Sequence, residues 1–429
     1  MQSLHRHRGH SSRYQWLWPG NCYYLLSPRL TDPDLKPIRC WTRSHINKVR
    51  HLGDYQRGGI VMGMTLGDRL RVTLFGESHG TCVGALVEGV PPGTLIDPAT
   101  LASYLALRKP GRRGLTTRSE LDDCDILSGI YEGKATGWPI LMMARNSDAR
   151  SSDYEFLPDH PRPGHSDMVE TIRSGGTNDP RGGGSQSARL TLGLVAAGSQ
   201  VRSMLDSAGW SCNAHLHRIG EIATSPLFEL DLNTPLDPDS DMGRLNCRDP
   251  EAASLISDYL DSIRRDGDSI GSVVELLIEG LPVGVGEPWF DGIEPALARG
   301  LMAIPGARAV EFSHGFESSR MRGSEHNDAW LPGGESPIPT GSDTGDADGA
   351  LGGRSTGAPI RVRVHFKPPS SIPREQFTLH LPSNEVRALK VGGRHDPVIG
   401  PRAVPVVEAV AMLVVCDLGM VGGFLGDQD

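Results

Sequence analysis

An imidazole, a hydroxyl and a carboxylate stand side by side in Gly76-Glu77-Ser78-His79-Gly80, the segment of this chain best suited to moving a proton. Imidazole changes charge nearest neutral pH, which makes it the usual general acid or base. The flanking glycines favour a turn and let backbone approach closely. Taken alone, a histidine in such a turn is more often held by a local hydrogen bond than catalytic. Its meaning rests on what accompanies it.

A second histidine lies in Arg162-Pro163-Gly164-His165-Ser166-Asp167, where Asp167 is placed to orient the ring. Three glycines followed by hydroxyls occur in Arg181-Gly182-Gly183-Gly184-Ser185-Gln186-Ser187-Ala188-Arg189, just before a helical pattern from Leu190. Free N–H groups at a helix start attract anions, and the neighbouring arginines strengthen that reading. The run is neither a Walker A loop nor a GxGxxG fingerprint. More cations cluster in Arg108-Lys109-Pro110-Gly111-Arg112-Arg113, in Gly392-Gly393-Arg394-His395-Asp396-Pro397, and in Lys367-Pro368-Pro369-Ser370-Ser371. No HExxH-type metal spacing occurs and no nucleophile is obvious, so neither a metal nor a serine nucleophile is expected. Acid/base groups, many cations and no nucleophile suit proton transfer or elimination on a small polyanion better than acyl transfer.

The elements that must position these groups occur twice. Leu86-Val87-Glu88-Gly89-Val90-Pro91-Pro92-Gly93 recurs as Leu277-Ile278-Glu279-Gly280-Leu281-Pro282-Val283-Gly284. Gly133-Lys134-Ala135-Thr136-Gly137-Trp138-Pro139-Ile140 recurs as Gly353-Arg354-Ser355-Thr356-Gly357-Ala358-Pro359-Ile360. Helical patterns follow the first pair (98–108 and 292–303), strands follow the second, and apolar helices close each series (188–206 and 403–418). These matches predict an α/β chain of two related halves, about 65–210 and 258–420. Residues 70–75 and 272–278 read as strands. Residues 211–257 read as a polar, irregular insertion, and 323–350 as a solvated loop or a mobile lid.

The chain has 429 residues, 38% of them hydrophobic, enough for a large core. Its net charge of -9 argues against general nucleic-acid binding. No apolar run of membrane-spanning length is free of charged interruption, so no membrane partner is expected. The 7 scattered cysteines lack CxxC spacing and fit a reducing, cytoplasmic setting. Residues 1–63, basic at the start and without an apolar signal core, read as a disordered or over-extended N-terminal segment; 421–429 read as a tail.

The ordered motifs together resemble chorismate synthase. GESHG with LVEGVPPG, GGGSQSAR opening a helix, and GRHDPVIGPRAVPVVEA match that family's three signatures in order, from about Thr65 to Cys416. RPGHSD, KATGWPI, MRGS (321–324) and KPPSS fall where the family has counterparts. The resemblance implies a β-α-β sandwich, with sheets flanking a helical layer, assembled as a homotetramer. It implies conversion of 5-enolpyruvylshikimate 3-phosphate to chorismate, the last step of the shikimate pathway, by 1,4-elimination of phosphate with loss of the C6 proton. Reduced FMN is required without net redox change, and NADPH enters only indirectly, for flavin reduction by an external system.

By that resemblance, His79 protonates the departing phosphate, His165 pairs with the flavin, and Asp396 with Ser78 and Ser187 handles the C6 proton. Arg108, Arg113, Arg162, Arg189 and Arg394 correspond to anion-binding arginines. Ser185, Gln186, Ser187, Pro305, Gly306, Gly352, Lys367, Pro368, Pro369, Ser370, Ser371 and Arg394 correspond to cofactor contacts. The chain departs from the family at Gly114, where Arg is usual, and at Ser185 and Leu190, where an Arg and a Glu are usual. Lys109 and Gly306 replace a common Arg and Ala. All acid/base positions remain, which predicts an active, divergent enzyme. The alternatives are another flavin-dependent enzyme acting on a phosphorylated polyanion, an oxidoreductase among them, and a non-catalytic anion- or flavin-binding protein.

Overall fold

Every second residue of Ile140, Met142 and Ala144, and of Val83, Ala85 and Val87, is buried, the two-residue period of strands with one face on a core. The computed structural model describes residues 63–109, 122–146, 151–333, 336–342, 347–393 and 395–426. Residues 59–429 form one compact unit. Apart from Gly63, the expected N-terminal extension lies outside the described residues.

The first sheet contains Thr65–Leu66 (β1), Arg71–Gly76 (β2), Cys82–Glu88 (β3), Asp125–Ile126 (β4) and Ile140–Arg145 (β5), in the order β1-β2-β3-β5-β4. The second contains Ser211–Ile219 (β6), Ile222–Ala223 (β7), Ser272–Glu279 (β8), Ala307–Phe312 (β9) and Ile360–Phe366 (β10), in the order β7-β6-β8-β10-β9. Both are antiparallel throughout, and three strands follow the same order in each, β3-β5-β4 and β8-β10-β9, while the short edge strand precedes its partner in the first sheet (β1 before β2) and follows it in the second (β7 after β6). In each sheet a small hairpin precedes the penultimate strand, Ile130–Ala135 before β5 and Ala350–Ser355 before β10. The repeated Gly-Pro turns dock on these hairpins alike: Gly93 N donates to Ala135 O (2.8 Å), and Gly284 N to Ser355 O (2.9 Å).

Between the sheets lie Pro98–Arg108 (α1), Thr191–Ser207 (α2), Ile293–Met302 (α4) and Gly400–Val421 (α5); Pro250–Arg265 (α3) packs near the edge strand β7. Helix α2 packs on β3, α5 packs on β6 and β8, and the two helices pack on each other, giving sheet–helices–sheet layers. Helix α5 is long and apolar enough to cross a membrane, yet 83% of its most apolar window is buried here as the central core helix. Near its end Asp417 accepts N–H bonds from Arg69 and Leu70 (2.8 Å each), fixing the start of β2.

The segment 211–257 is not an irregular insertion. It holds the inner strand β6, the helix Asp241–Leu245 and the first half of α3. Polar letters concealed the strand: Cys212 and Leu216 face the core, while His215 and His217 are buried on the other face. The segment 323–350 contains a short helix, Gly323–His326, and a pairing of Trp330–Leu331 with Ile338–Pro339.

Candidate active site

The GESHG motif forms the connection between β2 and β3, which pair through Gly76 and Val83. The tip carrying Ser78 and His79 is held from the next strand. Asn146, just after β5, donates to Glu77 O and Gly80 O (2.9 Å each). The glycine loop 182–184 packs directly on this tip. Gly182 adopts φ +65°, and a Cβ there would lie 2.7 Å from His79 Cδ2 and 2.8 Å from Ser78 Oγ. Only glycine allows this approach. The His79 ring stands edge-on to Tyr154, with centroids 5.1 Å apart.

Arg162 organises the second histidine loop. Its guanidinium donates to both Asp167 carboxylate oxygens (2.8 and 2.7 Å), to Ser371 Oγ (2.9 Å) and to Gly182 O. His165 Nδ1 lies 2.6 Å from Asp167 Oδ1. Burial opposes ionisation of Asp167, but hydrogen bonds from Arg162 and His165 outweigh it and hold this carboxyl well below its ordinary range. An ionised carboxylate only accepts and a guanidinium only donates, so Asp167 and Arg162, whose Nη2 is 3.1 Å from Nδ1, make opposite demands on this nitrogen; the shorter Asp167 contact favours a proton on Nδ1. The KPPSS stretch clamps the same loop: Lys367 Nζ bonds Gly164 O and Ser370 Oγ, and Ser370 Oγ donates to Gly164 O (2.8 Å). Burial, with Arg308 nearby, lowers the Lys367 pKa.

These loops enclose a cavity of about 670 Å³. Of the residues singled out from sequence, Ser78, His79, Arg162, His165, Gln186, Ser187, Arg189, Pro305, Gly306, Lys367, Pro369, Ser370, Ser371 and Asp396 line it. Ser78 Oγ accepts from Gly183 N (3.4 Å), Ser187 Oγ from Arg189 N (3.2 Å), and Asp396 Oδ2 from Arg402 (2.8 Å). The three share the cavity but are not hydrogen-bonded to one another.

Other positions differ from expectation. Arg108 does not reach the cavity. It is 1% exposed, pairs with Asp122 (2.6 Å) and donates to Thr191 Oγ1 and Ala188 O, so it braces the start of α2. Ser185 lines a separate space of about 40 Å³ behind the glycine loop. Gly352 lies in the turn of the Ala350–Ser355 hairpin, and neither it nor Pro368 lines the cavity. Arg113 and Arg394, with Gly114, lie outside the described residues. No described residue of the 323–350 segment lines the cavity.

Sequence reading missed several contributors. Asp122 joins Arg108 to Arg189, and Asn146 joins Arg189 to the GESHG tip. Tyr154, Arg308 and Ile399 also line the cavity. Asp122 and Asn146 sit in no motif, and only sheet pairing brings Asn146 to the tip.

Motifs separated by hundreds of residues thus meet in one cationic cavity with three imidazoles, those of His79, His165 and His395. The family described as chorismate synthase matches residues 70–420. The chain belongs to the chorismate synthase family. It is 42% identical to chorismate synthase of Methanosarcina mazei over 369 residues, 85% of this chain and 98% of the relative. It is 44% identical to that of Aeropyrum pernix over 360 residues, 82% of this chain and 92% of the relative. A crystal structure of chorismate synthase matches with a TM-score of 0.63 at 25% identity, covering 83% of this chain and 93% of that one. Chorismate synthase membership makes this chain a carbon–oxygen lyase acting on phosphates, in chorismate and aromatic amino acid biosynthesis.

Proposed function

We propose that this chain performs the phosphate elimination with reduced FMN held in the 670 Å³ cavity. The observation that carries the reading is the convergence of His79, His165 and Asp396 on that cavity beside Arg162, Arg189, Arg308 and Lys367. The lining fits a flat heterocycle with a polar edge and a phosphate. Asp396 Oδ1 is buried without a hydrogen-bond partner, an acceptor left for a donor on a bound group. Gly306, at φ +91°, brings the Pro305 turn against Ile399, where a Cβ would lie 2.6 Å from Cδ1. Ile304, Ile399 and Pro369 offer apolar surface, and Arg308, Lys367, Gln186 and Ser187 offer charge and hydrogen bonds.

When bound, reduced FMN supplies electron density that eases loss of the allylic phosphate. The protein does the remaining work. Arg189 and Lys367 attract the substrate's phosphate and carboxylates. His79 gives a proton to the departing phosphate oxygen. His165, which lines the cavity and contacts Asp167 through Nδ1, would leave Nε2 for a hydrogen bond with the cofactor. Asp396 receives or relays the C6 proton, with Ser78 and Ser187 joining the path only through groups bound between them.

The assembly proposed is a homotetramer, in the cytoplasm, with FMN reduced by an external system. Exposed aromatic side chains on the protomer support further burial, with Trp138 77%, Trp289 83% and Phe290 90% exposed. Thiols pushed up by burial, to about 11 at the half-buried Cys124 and about 12 at the buried Cys247, suit a reducing setting without thiol chemistry.

The test is anaerobic incubation of the folded protein with 5-enolpyruvylshikimate 3-phosphate and chemically reduced FMN. Phosphate and chorismate are expected in equal amounts, without stoichiometric NADPH use. Folded protein that forms neither product overturns the reading, and stoichiometric NADPH consumption favours an oxidoreductase.

A further inference from the structure

The second sheet buries a polar cluster that the elimination does not use. Register pairs His215 on β6 with Glu275 on β8, and the adjacent pair Leu216–Val274 faces the core. Alternation therefore places His215 and Glu275 together on the opposite face. The register shifts between Val273 and Val274, leaving His217 as the extra residue of a bulge, a device that re-aims a side chain. His215 and Glu275 are 0% exposed and His217 5%. None of the three lines the cavity.

Two observations point to a ligand. One ring nitrogen from each histidine and one Glu275 oxygen lie within 4.8 Å of one another. Glu275 Oε2 is 3.6 Å from His215 Nε2 and 3.9 Å from His217 Nδ1. Both ring nitrogens of His215 are buried without a hydrogen-bond partner, a costly arrangement that a bound ion would relieve. Two imidazoles and a carboxylate are a common donor set for zinc, with ligand bonds of about 2.0–2.2 Å.

The surrounding bonds orient these groups. Glu275 Oε1 accepts from Arg363 Nε (3.0 Å) and Oε2 from Leu227 N (2.6 Å), and a carboxylate has lone pairs beyond those two. His217 Nδ1 lies 3.1 Å from Thr224 Oγ1, whose hydroxyl donates to Ser225 O (2.8 Å), so Nδ1 is the donor in that contact and binding an ion through it displaces its proton. The Arg363 and Leu227 contacts fix the carboxylate as outer partners of a metal ligand do. The Arg363 side chain is 27% exposed, so solvent screens its charge.

We propose that His215, His217 and Glu275 bind a divalent transition-metal ion, zinc by their chemistry. The ion ties the 224–228 segment, which covers the cluster, to the second sheet. It takes no part in the elimination.

The experiment uses the full chain treated with a chelator and titrated with Co²⁺ and Zn²⁺. One Co²⁺ per chain is expected, with the strong visible absorption of a four-coordinate ion, and Zn²⁺ should raise Tm by several degrees. His217→Gln should abolish both while leaving chorismate formation unchanged. A His79→Ala, His165→Ala double variant should keep both. Absence of stoichiometric binding by the wild type overturns the proposal. So does binding that survives in folded His217→Gln, or that is lost in the double variant. If His217→Gln fails to fold, His215→Gln takes its place; the double variant removes two of the three cavity imidazoles and leaves the cluster intact.

Discussion

Arg189 Nε donates to Asn146 Oδ1 at 3.1 Å, joining the start of α2 to the loop that carries His79. The Asn146 amide nitrogen holds that loop through Glu77 O and Gly80 O. One neutral side chain thus sets the spacing between an anion-binding cation and an imidazole. Asn146→Ala is expected to lower kcat about 100-fold, because small misplacement of reacting groups is that costly. The lost hydrogen bonds should cost about 1–3 kcal/mol of stability. Steady-state kinetics under anaerobic conditions and denaturant unfolding check the two effects separately. A variant with wild-type kcat would rule out this positioning role.

Gly182→Ala addresses the glycine loop. The added methyl meets His79 and Ser78 at under 3 Å, at a φ of +65°. The loop must withdraw from the tip, at a cost of about 1–3 kcal/mol. Turnover should fall at least as far as in Asn146→Ala, with helix content by circular dichroism unchanged. Normal turnover would show that the loop can move aside freely.

His79→Ala removes the proposed proton donor. Loss of a general acid should reduce kcat by about 100- to 10,000-fold. Single-turnover phosphate release, with substrate binding measured in parallel, distinguishes lost chemistry from lost affinity. Near-normal release would assign the proton to another group.

Asp167 links stability to pH. Its ordinary value is 3.8, and hydrogen bonds from Arg162 and His165 lower it in the fold against the opposing effect of burial. Above 3.8 both states are ionised and the contribution is complete. As pH falls below that value the unfolded chain takes up the proton first, so stability falls until the folded carboxyl titrates at its lower value. Asp167→Asn should therefore flatten the acid limb of a stability profile below about pH 4. Urea unfolding of both proteins from pH 2.5 to 6 measures this, and parallel curves would contradict it.

Asp417→Ala tests the joint between chain ends. It leaves the N–H groups of Asp68, Arg69 and Leu70 without their shared acceptor near the core. A loss of about 2–4 kcal/mol is expected, as for a buried charge-assisted hydrogen-bond set. An unchanged denaturation midpoint would show that water replaces the carboxylate.

The amino-acid sequence by itself determined the family, the paired turns and the imidazole loops. Those features are local: GESHG, RPGHSD and GRHDP carry their turn chemistry and their reactive groups within a few residues. The apolar periodicity of 70–75, 98–108 and 403–418 likewise announced β2, α1 and the core of α5. Tertiary structure decided everything that depends on which distant residues meet. Asp122 captures Arg108 and so turns an expected substrate ligand into a brace. Asn146 reaches the His79 loop only because β5 pairs with β3. His215 and His217 looked like letters in a polar insertion until register set Glu275 beside them. The physical reason is the same in each case: burial removes water, so a charged or polar side chain must find its partner across strands, and no local pattern names that partner.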